Sequence, residues 1–157
     1  MVVIGVQGTT IQHTGKCSDV NEFAAHFGMM TRVPIVDAII AYNCPHSGEI
    51  FLLVARNDLY IKSMDHNLVP PFIMRESGLE ANEQAKIHPL DPTKHHHSMW
   101  DTKSELPIPL QLCETFSVFN TRQLTQEEIN EAGEYKVIFI SPGADYWNPN
   151  CEDWDAM

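Results

Sequence analysis

Val33-Pro34-Ile35-Val36-Asp37-Ala38-Ile39-Ile40-Ala41-Tyr42 and, a few residues on, Glu49-Ile50-Phe51-Leu52-Leu53-Val54-Ala55-Arg56 frame the stretch that decides the fold. Both runs are rich in Val, Ile, Leu and aromatic side chains, which suit a pleated, half-buried surface. Between them lies Asn43-Cys44-Pro45-His46-Ser47-Gly48, a dense cluster of turn formers. Two such runs joined by a short polar turn predict a β-hairpin with a longer loop.

Working outward, Met1 to Val6 is a short apolar run suited to a buried strand. Thr9 to His13 predicts a second strand, closed by a turn at Thr14-Gly15. Residues 16–32 read as loop, with some helical spacing from Val20 to Phe27. After the hairpin, Asp58 to Ile61 predicts a further short strand. Pro70-Pro71 before Phe72 to Ser77, with Gly78 just beyond, is the punctuation of a short helix. Residues 80–104 are polar and loop-like, with one strand expected near Met99. Leu106 to Leu112 and Phe116 to Phe119 predict two more strands. Pro107 and Pro109 confine the first to an edge, because proline cannot donate to a ladder. Thr125-Gln126-Glu127-Glu128 matches a capping box and starts a second helix, ending near Gly133. Tyr135 to Ile140 is the last strand. The expected fold is therefore mostly β, with two short helices.

The chain has 157 residues, which suits one domain with its own core. The expected division is a domain over 1–140 and an acidic, poorly ordered tail over 141–157, where Trp147 and Trp154 lie among Pro, Asn and Asp. Ten basic residues against 21 acidic ones give a net charge of −11, a field that repels phosphate backbones. No direct nucleic acid partner is expected. No apolar run approaches the roughly 18 residues of a membrane span, and no signal peptide is visible. Cys17, Cys44, Cys113 and Cys151 stand singly, without the paired spacing of a zinc site, as in a reduced intracellular protein. The expected location is cytoplasmic, and no cofactor is expected.

The chemistry-bearing clusters are weak. His95-His96-His97, with His88 nearby, offers imidazoles for a transition metal, but consecutive residues point in different directions, so a solvated loop and no metal site are expected. Cys44 beside His46 offers a thiol and a base with no orienting third group. No phosphate-binding loop, nucleophile elbow or zinc-protease helix motif is present.

The middle of the chain carries a more specific pattern. It reads Leu59-Tyr60-Ile61-Lys62-Ser63-Met64-Asp65-His66-Asn67-Leu68-Val69-Pro70-Pro71-Phe72-Ile73-Met74-Arg75-Glu76-Ser77-Gly78: an apolar strand, an Asn-Leu step and a short helix ending in glycine. His97-Ser98, Ile108-Pro109-Leu110 and Phe116-Ser117-Val118-Phe119-Asn120-Thr121-Arg122 follow in order. Over residues 33–128 this order resembles the protease region of copia-type retrotransposon polyproteins. The resemblance implies a retropepsin-like closed β fold, a homodimer and a polypeptide substrate. It also implies that the hairpin is the flap over that substrate, with Pro45, His46, Ser47 and Gly48 at its tip.

Such proteases need an Asp-Thr-Gly or Asp-Ser-Gly loop from each subunit. Two carboxylates held about 3 Å apart share one proton, and one of them activates the attacking water. No aspartate here is followed by Thr-Gly or Ser-Gly. Asp101-Thr102-Lys103 comes nearest but lacks the glycine, and Gly143-Ala144-Asp145 has the letters in the wrong order. No catalytic residue is assigned. In the family the aspartate loop directly precedes a short apolar strand, which Met1-Val2-Val3-Ile4-Gly5 resembles. The expectation is that Met1 is internal to a longer reading frame, with the catalytic loop upstream. A dimerising or peptide-binding module without catalysis is the alternative expectation, and a histidine-cluster metal protein is the second.

Overall fold

The computed structural model describes residues 2–5, 10–21 and 29–142. Its centre is the antiparallel pair β3 (Met29–Asn43) and β4 (Ile50–Tyr60), paired from Asn43↔Ile50 to Ile35↔Leu59. The expected hairpin forms, with Cys44 to Glu49 as its turn. Cys44 N–H donates to Glu49 O at 2.9 Å, Gly48 N–H donates to Cys44 O at 2.9 Å, and Gly48 takes φ 74°, a backbone region that glycine enters without steric cost.

β2 (Thr10–Asn21) pairs antiparallel with the outer edge of β3. It does not stop at Thr14-Gly15 as expected. Gly15, with φ 83°, sits in a register shift between His13 and Cys17, so the strand bulges there and continues. Residues 16–21 and 29–32, expected as loop, are therefore strand. The helical spacing over Val20 to Phe27 falls mostly outside the described residues.

The other edge of β4 is shared end to end. β10 (Lys136–Phe139) runs parallel to Phe51–Val54, and β1 (Val3–Ile4) runs parallel to Leu59–Tyr60. Ser141, buried between the two, closes the gap. Its Oγ accepts from Arg56 N–H at 2.7 Å and donates to Arg56 O at 3.3 Å. The tail expected from residue 141 otherwise lies outside the described residues from 143 onward.

The Asn-Leu step has a mechanical role. Val3 and Leu68 exchange backbone bonds at 2.9 and 2.8 Å, and Gly5 N–H donates to Asn67 Oδ1 at 2.9 Å. β1 is thus clamped between β4 and the Asn67-Leu68 segment. Gly5 allows that approach: a Cβ there would press on the carbonyl of Met64.

α1 (Pro71–Glu76) opens with proline and ends at Ser77, with Gly78 at φ 98° just beyond, as the punctuation predicts. A small sheet follows, made of β5 (Glu80–Asn82), β6 (Ser98–Asp101) and β7 (Leu106–Pro109), in that order. β7, with its two prolines, is an edge strand as expected. β8 (Gln111–Cys113) and β9 (Phe116–Val118) form a two-stranded ribbon. α2 (Gln126–Asn130) starts at the Thr125 capping box, and a 3₁₀ turn spans Ala132–Glu134.

The main core lies on one face of the large sheet. Ile4, Val36, Ala38, Ile40, Leu53 and Ala55 meet Ile73 of α1 and Met99, Leu106 and Ile108 of the small sheet there. On the opposite face Leu124 covers Ala41 and Leu52, with Ala132 and Tyr135 packed alongside. The chain is mostly β with two short helices, as its sequence predicts. The described strands do not close into a barrel, contrary to expectation. β10 and β1 both take the β4 edge, so no described strand joins that edge to β2. Among the described residues no helix is long and apolar enough to cross a membrane.

Ile40 and Leu53 face each other across the central pair, 2% and 0% exposed. Truncating either to alanine leaves a cavity and is expected to destabilise the fold by roughly 2–5 kcal/mol in equilibrium denaturation.

Candidate functional site

The turn end of the hairpin is where chemistry-bearing residues gather. Pro45, His46, Ser47 and Gly48 are exposed at its tip. Beneath them a groove of about 160 Å³ is lined by Tyr42, Asn43 and Pro45 from the hairpin and by Pro109, Gln111, Phe119 and Asn120 from the far wall. Only Pro45 of the four tip residues reaches it. The lining carries no formal charge: amide groups stand beside two aromatic rings and two prolines.

The groove persists because its walls are tied together. The rings of Tyr42 and Phe119 pack edge to face with centroids 6.2 Å apart. Arg122 and Ala41 exchange backbone bonds at 3.0 and 2.9 Å, filling the β3 edge beyond the Thr10↔Ile39 pair that begins β2. The Arg122 guanidinium grips both Glu128 oxygens at 2.6 and 2.7 Å and donates to Asn43 Oδ1 at 3.1 Å. Glu128 also accepts from Thr125 N–H at 2.8 Å, completing the capping box. One arginine thereby joins the base of the turn to α2. Its guanidinium, backed by the Thr125 N–H, holds the Glu128 carboxyl at about 2.

Two titratable groups flank the groove. Burial, with the nearby Cys44 adding to it, pushes the Tyr42 hydroxyl up to about 12, so it remains a hydrogen-bond donor at neutral pH. The Cys44 thiol lies inside the turn. Burial raises its pKa, but bonds from the Ser47 hydroxyl and from the Ser47 and His46 backbone outweigh that and leave it below the ordinary value. His46 is exposed, and no third group orients it toward the thiol among the described residues. Nothing here assembles a nucleophile and base.

The three histidines point in different directions, but the run is not wholly the solvated loop expected, because His97 is buried. His95 packs its ring on Trp100 at 4.5 Å, and His96 Nδ1 accepts from Thr93 N–H at 2.9 Å. His97, at φ 50° and 6% exposed, turns inward to Ser117 Oγ at 2.9 Å. Its carbonyl accepts from Leu110 N–H at 2.9 Å. His97 therefore ties the β8–β9 ribbon to β6. No group of three or more His, Cys, Asp or Glu side chains suited to a metal occurs among the described residues. Asp101 spends its Oδ2 on the Ser104 backbone and hydroxyl, at 3.3 and 2.5 Å, as a local turn brace.

One residue of interest escaped the sequence reading. Asp58 is 0% exposed, and neither of its carboxylate oxygens has a hydrogen-bond partner among the described residues. Its position depends on a bulge. Val36 pairs with Asp58, whereas Ala38 pairs with Ala55, so β4 carries an extra residue there. Asn57 takes it up at φ 57°, its N–H donating to Asp37 Oδ1 at 3.1 Å. Unbroken alternation from Ala55 would have sent Asp58 to the opposite face.

No family model, no curated protein and no solved structure matches the chain.

Two outcomes follow from these contacts. Arg122→Ala strands a buried carboxylate and is expected to cost about 3 kcal/mol in chemical denaturation, the low end for broken buried pairs because Arg122 is 35% exposed. Glu128 is held below its ordinary value, so its contribution is present above the ordinary glutamate range and lost as pH falls toward about 2. An acid titration of stability should show that loss in the parent and not in Glu128→Gln. Separately, His97→Ala should lower stability by about 1–3 kcal/mol by orphaning its buried contacts, while His95→Ala and His96→Ala stay within about 0.5 kcal/mol.

Proposed function

We propose that this chain is a retropepsin-like domain from the protease region of a copia-type retrotransposon polyprotein, and that as written it does not cleave peptide bonds. The observation that carries the reading is the order of motifs over residues 33–128, with the hairpin tip standing over an uncharged groove. In this reading the β3–β4 hairpin is the flap. Tyr42, Asn43 and Pro45 form one wall of a channel for an extended polypeptide, and the intact protein works as a homodimer inside the cell.

Hydrolysis would require the paired carboxylates that this sequence does not encode. Asp37 and Asp58 do not substitute for them. One is committed to a backbone N–H of the bulge and the other is sealed in the core, so neither reaches the groove. A form extended upstream, with an Asp-Thr-Gly or Asp-Ser-Gly loop before β1, would supply the dyad.

A second reading is favoured by the groove itself: a peptide-holding module without catalysis. Its amides could bond a peptide backbone while its aromatic rings receive one apolar side chain.

Reading the in-frame codons upstream of Met1, then assaying the extended protein, separates the two. The protease reading expects an Asp-Thr-Gly or Asp-Ser-Gly loop, cleavage blocked by transition-state mimics of aspartic proteases, and loss of cleavage on Asp→Asn in that loop. An upstream frame without such a loop overturns it. In that case, chemical-shift changes confined to Tyr42, Asn43, Phe119 and Asn120 on titrating extended peptides would support the binding module.

A further inference from the structure

The geometry points to a pH-sensitive latch: Asp58 keeps strand β1 seated while its carboxyl group is protonated, and β1 lets go when that proton passes to solvent. This inference is independent of the protease reading.

Asp58 stands directly opposite Val36, so the two side chains share a face of the sheet. Val36 belongs to the main core together with Val2, Ile4 and Tyr60. The parallel register Val3↔Leu59 and Ile4↔Tyr60 sets Val2 beside Asp58. A fully buried carboxyl group with no hydrogen-bond partner on either oxygen among the described residues thus lies beside apolar side chains of the main core. An ionised carboxylate in such a place is very costly, so the neutral acid is favoured.

The surrounding charges do not outweigh it. From β3, Asp37 repels a negative Asp58, although its own carboxylate is occupied by the Asn57 N–H. From β2, His13 packs edge on against the Tyr60 ring at 6.0 Å. The amino terminus acts in the opposite sense and is the weakest of the influences. Burial dominates, followed by Asp37, and the carboxyl is raised to about 8.

The sign follows. The group is raised in the folded state, so its neutral form costs nothing below the ordinary aspartate range near pH 4. Above that range any conformation that wets Asp58 gains from releasing the proton. The closed state therefore loses ground from about pH 4 up to about pH 8.

β1 is the element that can yield. Among the described residues it pairs with β4 over Val3–Ile4, through Leu59 N–H to Val2 O at 3.0 Å and Ile61 N–H to Ile4 O at 2.9 Å. Its far side is held by the Val3–Leu68 bridge and the Gly5–Asn67 bond. The β2–β3–β4 ladder does not run through it. Lifting β1 removes Val2 and Ile4 from beside Asp58 and lets water reach the carboxylate without breaking the central pair.

Amide hydrogen exchange on the 157-residue chain tests this. The amides of Leu59, Ile61 and Leu68 report on β1, and those of Ile40 and Leu53 report on the central pair. After correction for intrinsic rates, protection of the first set should fall about tenfold per pH unit between about pH 5 and 8, the slope of one released proton. It should stay below that of the second set and be insensitive to low denaturant, the mark of local opening. In Asp58→Asn the slope should vanish. Two results would overturn the latch: β1 amides exchanging only with the central pair through global unfolding, or a slope that survives Asp58→Asn. If that variant does not fold, the comparison of the two amide sets within the parent chain still decides.

Discussion

The antiparallel pairing of β3 with β4, and the single bulge within it, is the constraint on which the remaining structure depends. Every other large-sheet strand is defined by an edge of this pair: β2 on one side, β10 and β1 in line on the other. The bulge at Asn57 then reverses the alternation of β4. It brings Asp58 and Tyr60 to the core face and leaves Leu59 to pack with Val33 and Ile35 on the other. Two polar groups hold it, Asp37 on the Asn57 N–H and Ser141 on Arg56. Both satisfy backbone groups that the ladder leaves unpaired, which is what buried backbone requires.

The two ends of this pair are built differently. At the turn end, contacts are redundant: the Tyr42–Phe119 rings, the Arg122–Ala41 backbone pair and the Arg122–Glu128–Asn43 cluster all act on one short region. Such overlap suits a wall that must keep its shape beside a groove. At the other end, the short strand β1 covers an acid with no hydrogen-bond partner among the described residues. Rigidity at the groove and a yielding seam far from it are consistent with one another, because the central ladder separates them.

Much of the organisation was legible from local chemistry. The turn cluster between two Val- and Ile-rich runs gave the hairpin; Pro70-Pro71 and Gly78 bracketed α1; Thr125 and Glu128 gave the capping box of α2. These signals act over a few residues, so no distant contact overrides them. The misreadings arose where local signals were ambiguous. Thr14-Gly15 looks like a turn, but glycine at positive φ serves equally as a bulge within a continuing strand. Within residues 80–104 the strand expected near Met99 forms as β6, whereas β5 read as loop because it spans three residues and carries no apolar alternation of its own. The exposed tip of the candidate site was legible as turn residues, whereas its far wall, Pro109, Gln111, Phe119 and Asn120, comes from segments with no signal linking them to the hairpin.

The strand-rich character, the hairpin, both helices and the absence of an Asp-Thr/Ser-Gly loop follow from the amino-acid order alone, because each is written in adjacent residues. Tertiary contacts settled the order of the described strands, the sharing of one β4 edge by β10 and β1, the groove under the hairpin and the burial of Asp58. These depend on register and on which distant segments meet. A period-two pattern fixes faces only until a bulge inserts one residue, and nothing in Arg56-Asn57-Asp58 announces that insertion. The shift becomes determined once Val36 and Ala38 are paired across the strand, a constraint that exists only in the folded chain.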